Sequence, residues 1–174
     1  MALTPRCAML AEQMRDEGDE GEPGTRRDIF QHRFAADPHA VRGALRAAMA
    51  RFKQEIRAEE AGALELVLAE IMNNIVKHSY AGGGDGTISL SILRDQRGIS
   101  CSVSDDGVPL PPACLVVPGL PKTAVAKADL PEGGFGWYLI HTLTCDLGYR
   151  REAGQNLLAF RLPLGTPDGL DQLS

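Results

Sequence analysis

Residues 68–80 read LAEIMNNIVKHSY, and the way this stretch is understood decides the reading of the whole 174-residue chain. On a helix turning about 100° per residue, Leu64, Leu68, Ile71 and Ile75 make one apolar stripe, with Glu70, Asn74 and Lys77 beside it within roughly 60° of each other. Such a ladder can be a solvated face, worth about 0.2–0.5 kcal/mol per pair, or a set of side chains aimed into a cleft. The stretch alone leaves both readings open.

Working outward, the same helix is expected from about Glu60 to Tyr80, closed by the glycines of AGGGDG. Before it, Asp37-Pro38 starts a helix running to about Ala58, with Val41, Leu45, Met49, Phe52 and Ile56 on its buried side. DIFQHRF (28–34) alternates as a strand does. After the glycines, TISLSIL and ISCSVSDDG also alternate and predict an antiparallel hairpin. Prolines and two lysines break any period between Val108 and Pro131, which predicts a long irregular loop able to act as a lid. EGGFGWYLIHTLTCDLG then reads as a glycine turn opening a short helix, and YRREAG with NLLAFRLPL as a closing hairpin. This order predicts an α+β fold: a two-layer sandwich with a mixed, mostly antiparallel sheet and helices on one face.

The composition, 44% hydrophobic and 24% charged with a net charge of −5, suits one globular domain and argues against broad attraction to nucleic acid or an anionic membrane. Four cysteines without C-x-x-C spacing suggest neither a zinc site nor a redox motif, and are read as reduced thiols. The apolar run Cys7–Ala11 is too short for a signal peptide or a membrane span, so the expected compartment is the cytoplasm. RDEGDEGEPGTRR (15–27) has too little apolar surface to offset its chain entropy. The expected organisation is a flexible acidic extension over 1–27, a domain over 28–165 and a tail over 166–174.

Two further stretches carry chemistry. SDDGVP puts a carboxylate at a strand end before Gly107, which lets another molecule approach closely; an ordinary Asp-Gly turn has the same sequence. EGGFGWYLI puts Gly133, Gly134 and Gly136 at a helix start, where free amides suit phosphate oxygens. It lacks the lysine and hydroxyl residue of a P-loop and does not follow a strand as a dinucleotide fingerprint does.

In order and spacing, EIMNNIVKHSY, DDGVP and GGFGWYLI resemble the N box and two glycine boxes of the GHKL ATPase superfamily, over about Asp28 to Leu164. Within it, the E-x-x-x-N-x-x-x-H-x-Y pattern and the short lid are similar to the bacterial anti-sigma factor serine/threonine kinases, or switch-protein kinases. The resemblance implies ATP and Mg²⁺ as cofactors, with Asn74 as the metal ligand. It implies Glu70 as the general base, Lys77 reaching a phosphate and His78 packing near adenine, although His78 is equally read as a helix-end packing residue. Asp105 would accept a hydrogen bond from the adenine amino group, Gly107 would let the base approach, and the backbone of Gly134, Phe135 and Gly136 would meet the phosphates. Pro109 and Leu110 depart from the glycine and phenylalanine of many relatives, and Asn156 from a frequent threonine.

The implied function is an ATP-dependent serine/threonine-protein kinase and anti-sigma factor. It would phosphorylate an anti-anti-sigma (STAS-domain) partner and sequester a sigma factor, as a homodimer after the family's habit. The alternative is a noncatalytic ATP-binding module that holds a sigma factor or another regulator. A sensor histidine kinase fits poorly, because no helix pair with a phospho-acceptor histidine precedes the N box.

Overall fold

The computed structural model describes residues 28–79, 85–95, 98–116 and 134–165. The predicted extension over 1–27 and tail over 166–174 lie outside these residues. So do Tyr80 with the first glycines after it, the hairpin tip at 96–97, and most of the predicted lid together with Gly133.

Five strands, β1 (Asp28–Ala35), β2 (Thr87–Asp95), β3 (Gly98–Asp105), β4 (Cys145–Glu152) and β5 (Gln155–Leu162), form one sheet in the order β1-β2-β3-β5-β4. All four pairings are antiparallel, so the expected mixed sheet contains no parallel pair among the described residues. Among the described residues three α-helices accompany it: α1 (Pro38–Phe52), α2 (Ala58–Asn74) and α3 (Gly134–Leu143). Alternation along the strands sends Ile88, Leu90, Ile92, Cys101, Val103 and Phe160 to one face. There they meet Phe52, Leu64, Leu68 and Ile71 of the helices in a single buried cluster. Each large side chain there contributes about 1.5–3 kcal/mol relative to exposure.

The helix ends differ from the expected ones. Asp37 caps α1 by accepting from the amides of His39 (2.8 Å) and Ala40 (2.9 Å), with Pro38 in the first turn. The helix stops at Phe52 rather than Ala58. Arg57 instead begins α2: its backbone N–H donates to Glu60 Oε2 at 3.0 Å and its guanidinium to Oε1 at 2.7 Å. Glu60 Oε1 also accepts the Gly165 N–H at 3.0 Å, tying the end of the last strand's continuation to this corner. Partial burial pushes the Glu60 carboxyl up, but the hydrogen bonds from Arg57 and Gly165 outweigh it and hold the carboxyl below its usual value. At its other end α2 stops at Asn74 and the chain continues as a single wide turn, Ile75–Ser79, of π type. In the expected lid, Pro112–Leu115 forms one 3₁₀ turn. β4 begins at Cys145, earlier than the expected final hairpin, with a bulge between Cys145 and Gly148 and Asp146 in the left-handed region at φ 54°.

Gly98 opens β3 at φ 138°, and a Cβ there would lie 2.5 Å from the Leu162 carbonyl oxygen. Backbone on a neighbouring strand cannot move aside as a side-chain end can. Gly98→Ala is therefore expected to destabilise the fold by about 2 kcal/mol, a fall in Tm of roughly 4–8 °C measurable by calorimetry.

Candidate functional site

α2 and α3 lie side by side across the sheet, and their contact creates the first part of the site. Glu70 is half-buried on α2. A Cβ added to Gly136, in the first turn of α3, would overlap Glu70 Oε2 and lie 3.2 Å from its Cδ. Only a residue without a side chain lets the carboxylate stand against that turn. Two stretches far apart in sequence thus bring an acidic side chain and a helix N-terminus together.

One turn further along α2, Asn74 is half-buried, and its Nδ2 is buried with no hydrogen-bond partner among the described residues. A buried amide without a partner costs about 1–3 kcal/mol and is retained where something else satisfies it. Its companion oxygen is a hard, neutral donor of the kind magnesium accepts beside phosphates and waters. By that oxygen, and not by the unpaired N–H, which a cation cannot satisfy, Asn74 fits the implied metal ion. Asn73, the neighbouring amide, is exposed.

Lys77 and His78 fall in the π turn, where a wider helix changes the angle per residue. The 100° wheel that aligned Lys77 with Glu70 and Asn74 does not hold past Asn74. Both side chains are exposed, and the structure does not join them to the buried groups of the site.

Asp105 closes β3 on the helix-facing side and is 4% exposed, whereas Asp106 is exposed and accepts the Thr87 N–H at 3.2 Å. Register explains the difference, since Asp105 continues the inward series Ile99, Cys101, Val103. Asp105 Oδ1 accepts from the Gly107 amide (2.9 Å) and from Asn156 Nδ2 (2.9 Å). Both donors sit on Oδ1, so Oδ2 is the oxygen available to a ligand. Burial pushes the Asp105 carboxyl above its ordinary value; the hydrogen bonds from Asn156 and Gly107 act in the opposite direction.

Around this carboxylate is a network that sequence reasoning touched only at Asn156. The Asn156 amide also donates to the Val108 carbonyl at 3.0 Å. Its oxygen accepts from the Tyr149 hydroxyl (2.8 Å) and from Arg151 Nη1 (2.5 Å). Tyr149 in turn accepts the Leu110 N–H at 3.1 Å, and Arg151 reaches the Gly107 carbonyl at 2.8 Å. The segment 107–110, including the unusual Pro109 and Leu110, is thereby fastened to β4 and β5. Further on, His141 of α3 lies 3.0 Å from the Cys114 carbonyl, through Nε2. At the other edge of the site Phe135 is 58% exposed, its ring tilted against Tyr138 with centroids 6.0 Å apart. Trp137 and Ile140 are buried in the core, while Leu139 between them is half-buried.

Cys101, Cys114 and Cys145 are free, and burial raises each thiol's pKa, the exposed edge thiol of Cys145 also through the Asp146 charge. None is a ready nucleophile at neutral pH. No described helix is long and apolar enough to cross a membrane, and the described residues contain no cluster of three metal-ligating side chains of the His, Cys, Asp or Glu kind.

The sequence profile described as the histidine kinase-like ATPase domain matches residues 34–162. The serine/threonine-protein kinase BtrW of Bordetella bronchiseptica is 30% identical over 95 residues, which cover 55% of this chain and 65% of that one. The serine-protein kinase RsbW of Bacillus mycoides is 30% identical over 103 residues, covering 55% of this chain and 59% of that protein. The matches thus span 65% and 59% of the length of these two relatives. Among solved structures, the histidine kinase domain from the Erythrobacter litoralis EL346 blue-light activated histidine kinase aligns with a TM-score of 0.45 at 18% identity, over 91% of this chain and 72% of that one.

Proposed function

This chain belongs to the histidine kinase-like ATPase family, and on that premise we propose that it is an ATP-dependent serine/threonine-protein kinase and anti-sigma factor. Its substrate is a hydroxyl on an anti-anti-sigma protein of the STAS type, and its other partner is a sigma factor. The reading places it in the cytoplasm, as a homodimer, with no direct contact to nucleic acid or membrane. The kinase names of two relatives support it. The observation that carries it is the contact between the Glu70 carboxylate and the first turn of α3 at Gly136.

The roles follow from what each group can do. Asp105 Oδ2 accepts from the adenine amino group, and Gly107 lets the base lie close. The amides of Gly134, Phe135 and Gly136 face phosphate oxygens at a helix N-terminus, with Lys77 supplying a mobile cation and His78 standing near the base. Asn74 holds Mg²⁺, which when bound neutralises phosphate charge. Glu70 takes the proton from the partner's hydroxyl as that oxygen bonds to the γ-phosphorus and the bond to the β-phosphate oxygen breaks, leaving ADP and a phosphorylated partner. The new phosphate adds about 1.5–2 negative charges to the partner's surface and so changes what it binds.

The reading is tested by mixing the full chain with Mg²⁺ and γ-labelled ATP and the STAS protein encoded nearest to it, and following label onto a serine or threonine. Binding of ATP without transfer to any such protein would favour the noncatalytic module instead. A narrower expectation concerns Gly136. Gly136→Ala forces the Glu70 carboxylate aside, so transfer should fall by about 10–100-fold while ATP affinity changes much less. Adding Glu70→Asp, whose shorter side chain removes the overlap, should recover none of the transfer, because reach matters more than space; single-turnover rates of the parent chain and these two variants decide.

A further inference from the structure

Asn156 is 4% exposed, and every hydrogen-bonding position of its amide is engaged. The oxygen accepts from the Tyr149 hydroxyl at 2.8 Å and from Arg151 Nη1 at 2.5 Å, which fills both of its lone pairs. The nitrogen donates to Asp105 Oδ1 at 2.9 Å and to the Val108 carbonyl at 3.0 Å, with the Gly107 carbonyl 3.3 Å away. No donor or acceptor is left over with which Asn156 could meet a ligand itself. It acts on the site through what it holds, which is Asp105 and the backbone of 107–108.

The donors fix the direction in which this chain of bonds runs. A guanidinium carries N–H donors and no acceptor, so Arg151 can meet only the oxygen of the amide. The Tyr149 hydroxyl accepts the Leu110 N–H at 3.1 Å, so its own proton goes to the same oxygen. The N–H groups of Asn156 are thereby turned toward Asp105, and two donors on its oxygen polarise the amide and strengthen what it donates. Arg151 Nη1 also reaches the Gly107 carbonyl at 2.8 Å, on the residue whose N–H is the other donor to Asp105. Arg151 is exposed on the edge strand β4, a place where a cation ordinarily stays in water. Here it is held against two oxygens of the site.

We propose that Arg151, with Tyr149 beside it on Asn156, is a positioning residue that sets base specificity. It acts through Asn156 to hold Asp105 as an ionised acceptor, and so favours a purine bearing an amino group over one bearing a carbonyl. The proposal rests on the reading of Asp105 as the group that meets the base. Ionised, Asp105 Oδ2 accepts from an amino group; protonated, it donates and suits a carbonyl oxygen instead. Burial pushes Asp105 toward the protonated form and the neighbouring Asp106 charge pushes the same way, while the hydrogen bonds from Asn156 and Gly107 and the Arg151 charge oppose them. On the helix side, Glu70, Lys77 and His78 make no hydrogen bond to Asp105, whose described donors are Gly107 and Asn156. Those three groups stay the same in every variant compared below.

The test uses the full chain with Arg151→Met, Arg151→Lys and Tyr149→Phe, and Arg151→Met also combined with Asp105→Asn. Carboxyl-carbon NMR follows protonation of Asp105 without nucleotide, calorimetric titration at mildly acidic pH reads ATP and GTP affinity, and thermal unfolding checks that each variant is folded. Arg151→Met and Tyr149→Phe are expected to move the Asp105 titration to higher pH, and Arg151→Lys to move it less than Arg151→Met, because the charge stays. In Arg151→Met, ATP binding should weaken by about fivefold or more and GTP binding by less than about twofold, so the preference narrows. Combined with Asp105→Asn, the same change should alter ATP binding by less than about twofold, since the charge it supports is gone. An Asp105 carboxyl that titrates in Arg151→Met as in the parent chain would overturn the proposal. So would a loss equal for both nucleotides and undiminished beside Asp105→Asn, the mark of a purely structural tie. A parent chain that binds ATP no better than GTP would overturn the reading of Asp105 and the preference with it. The carboxyl titration, which needs no nucleotide, separates that failure from a failure of Arg151 to hold the carboxylate.

Discussion

Asp105→Asn is expected to weaken ATP binding by roughly 30–150-fold, the effect of about 2–3 kcal/mol in a buried polar contact. The Gly107 amide and Asn156 Nδ2 both donate to Oδ1, so an asparagine keeps its oxygen there and turns its amide nitrogen toward the ligand. Two donors then face each other where the proposed contact has an acceptor meeting the adenine amino group. Stability should not fall in parallel, because the substitution removes a buried charge and keeps both hydrogen bonds. Calorimetric titration together with Tm measurements separates the two effects.

The same carboxylate sets a pH dependence. Burial raises its pKa, so it takes up a proton at a higher pH than an ordinary aspartate, and the proton goes to Oδ2 because Oδ1 is engaged. ATP affinity is therefore expected to decline as pH falls through that raised value, and to decline less in Asp105→Asn. A carboxyl with a raised folded-state pKa binds protons more readily folded than unfolded. This group's contribution to stability thus grows as pH falls toward the unfolded-state value, and acid loss of ATP is not acid unfolding.

Glu70→Gln is expected to slow phosphate transfer by about 10²–10⁴-fold, the usual contribution of a positioned general base. ATP affinity should stay within about threefold and stability within about 0.5 kcal/mol, since the change is isosteric and Glu70 makes no hydrogen bond to a described residue. Rapid-quench measurement of a single turnover reads the chemical step directly. Loss of ATP affinity comparable to the loss of transfer would instead make Glu70 a binding residue.

Where a buried face repeats at fixed spacing, the sequence was a sufficient guide. Ile88, Leu90, Ile92 and Ile99, Cys101, Val103 alternate because one side of the sheet meets helices, and the same alternation separates buried Asp105 from exposed Asp106. Helix ends were less legible. Lys53, Gln54 and Glu55 are all good helix formers, and Ile56 continues the apolar stripe, so nothing local ends α1 at Phe52. The corner there is set by Arg57, Glu60 and Gly165, a tie across most of the chain length. The π turn after Asn74 likewise leaves no mark in an apolar period.

The candidate site shows the same division. Glu70, Asn74 and Gly136 could be chosen by motif, but their proximity depends on how α2 meets α3. Tyr149 and Arg151 were missed, although a signal was present. Ala153 and Gly154 both take positive φ, 49° and 83°, as a two-residue hairpin turn requires. Centring the hairpin on Ala153-Gly154 puts Arg151 opposite Asn156, which is the observed register.

The measurement that bears most directly on the central claim is titration of the full chain with ATP and with GTP, each with and without Mg²⁺. The proposed roles, Asp105 as the reader of the purine and Asn74 as the holder of the metal, predict ATP binding that strengthens with Mg²⁺, and GTP at least about 30-fold weaker. Equal affinity for the two nucleotides, or no binding of either, would contradict the account.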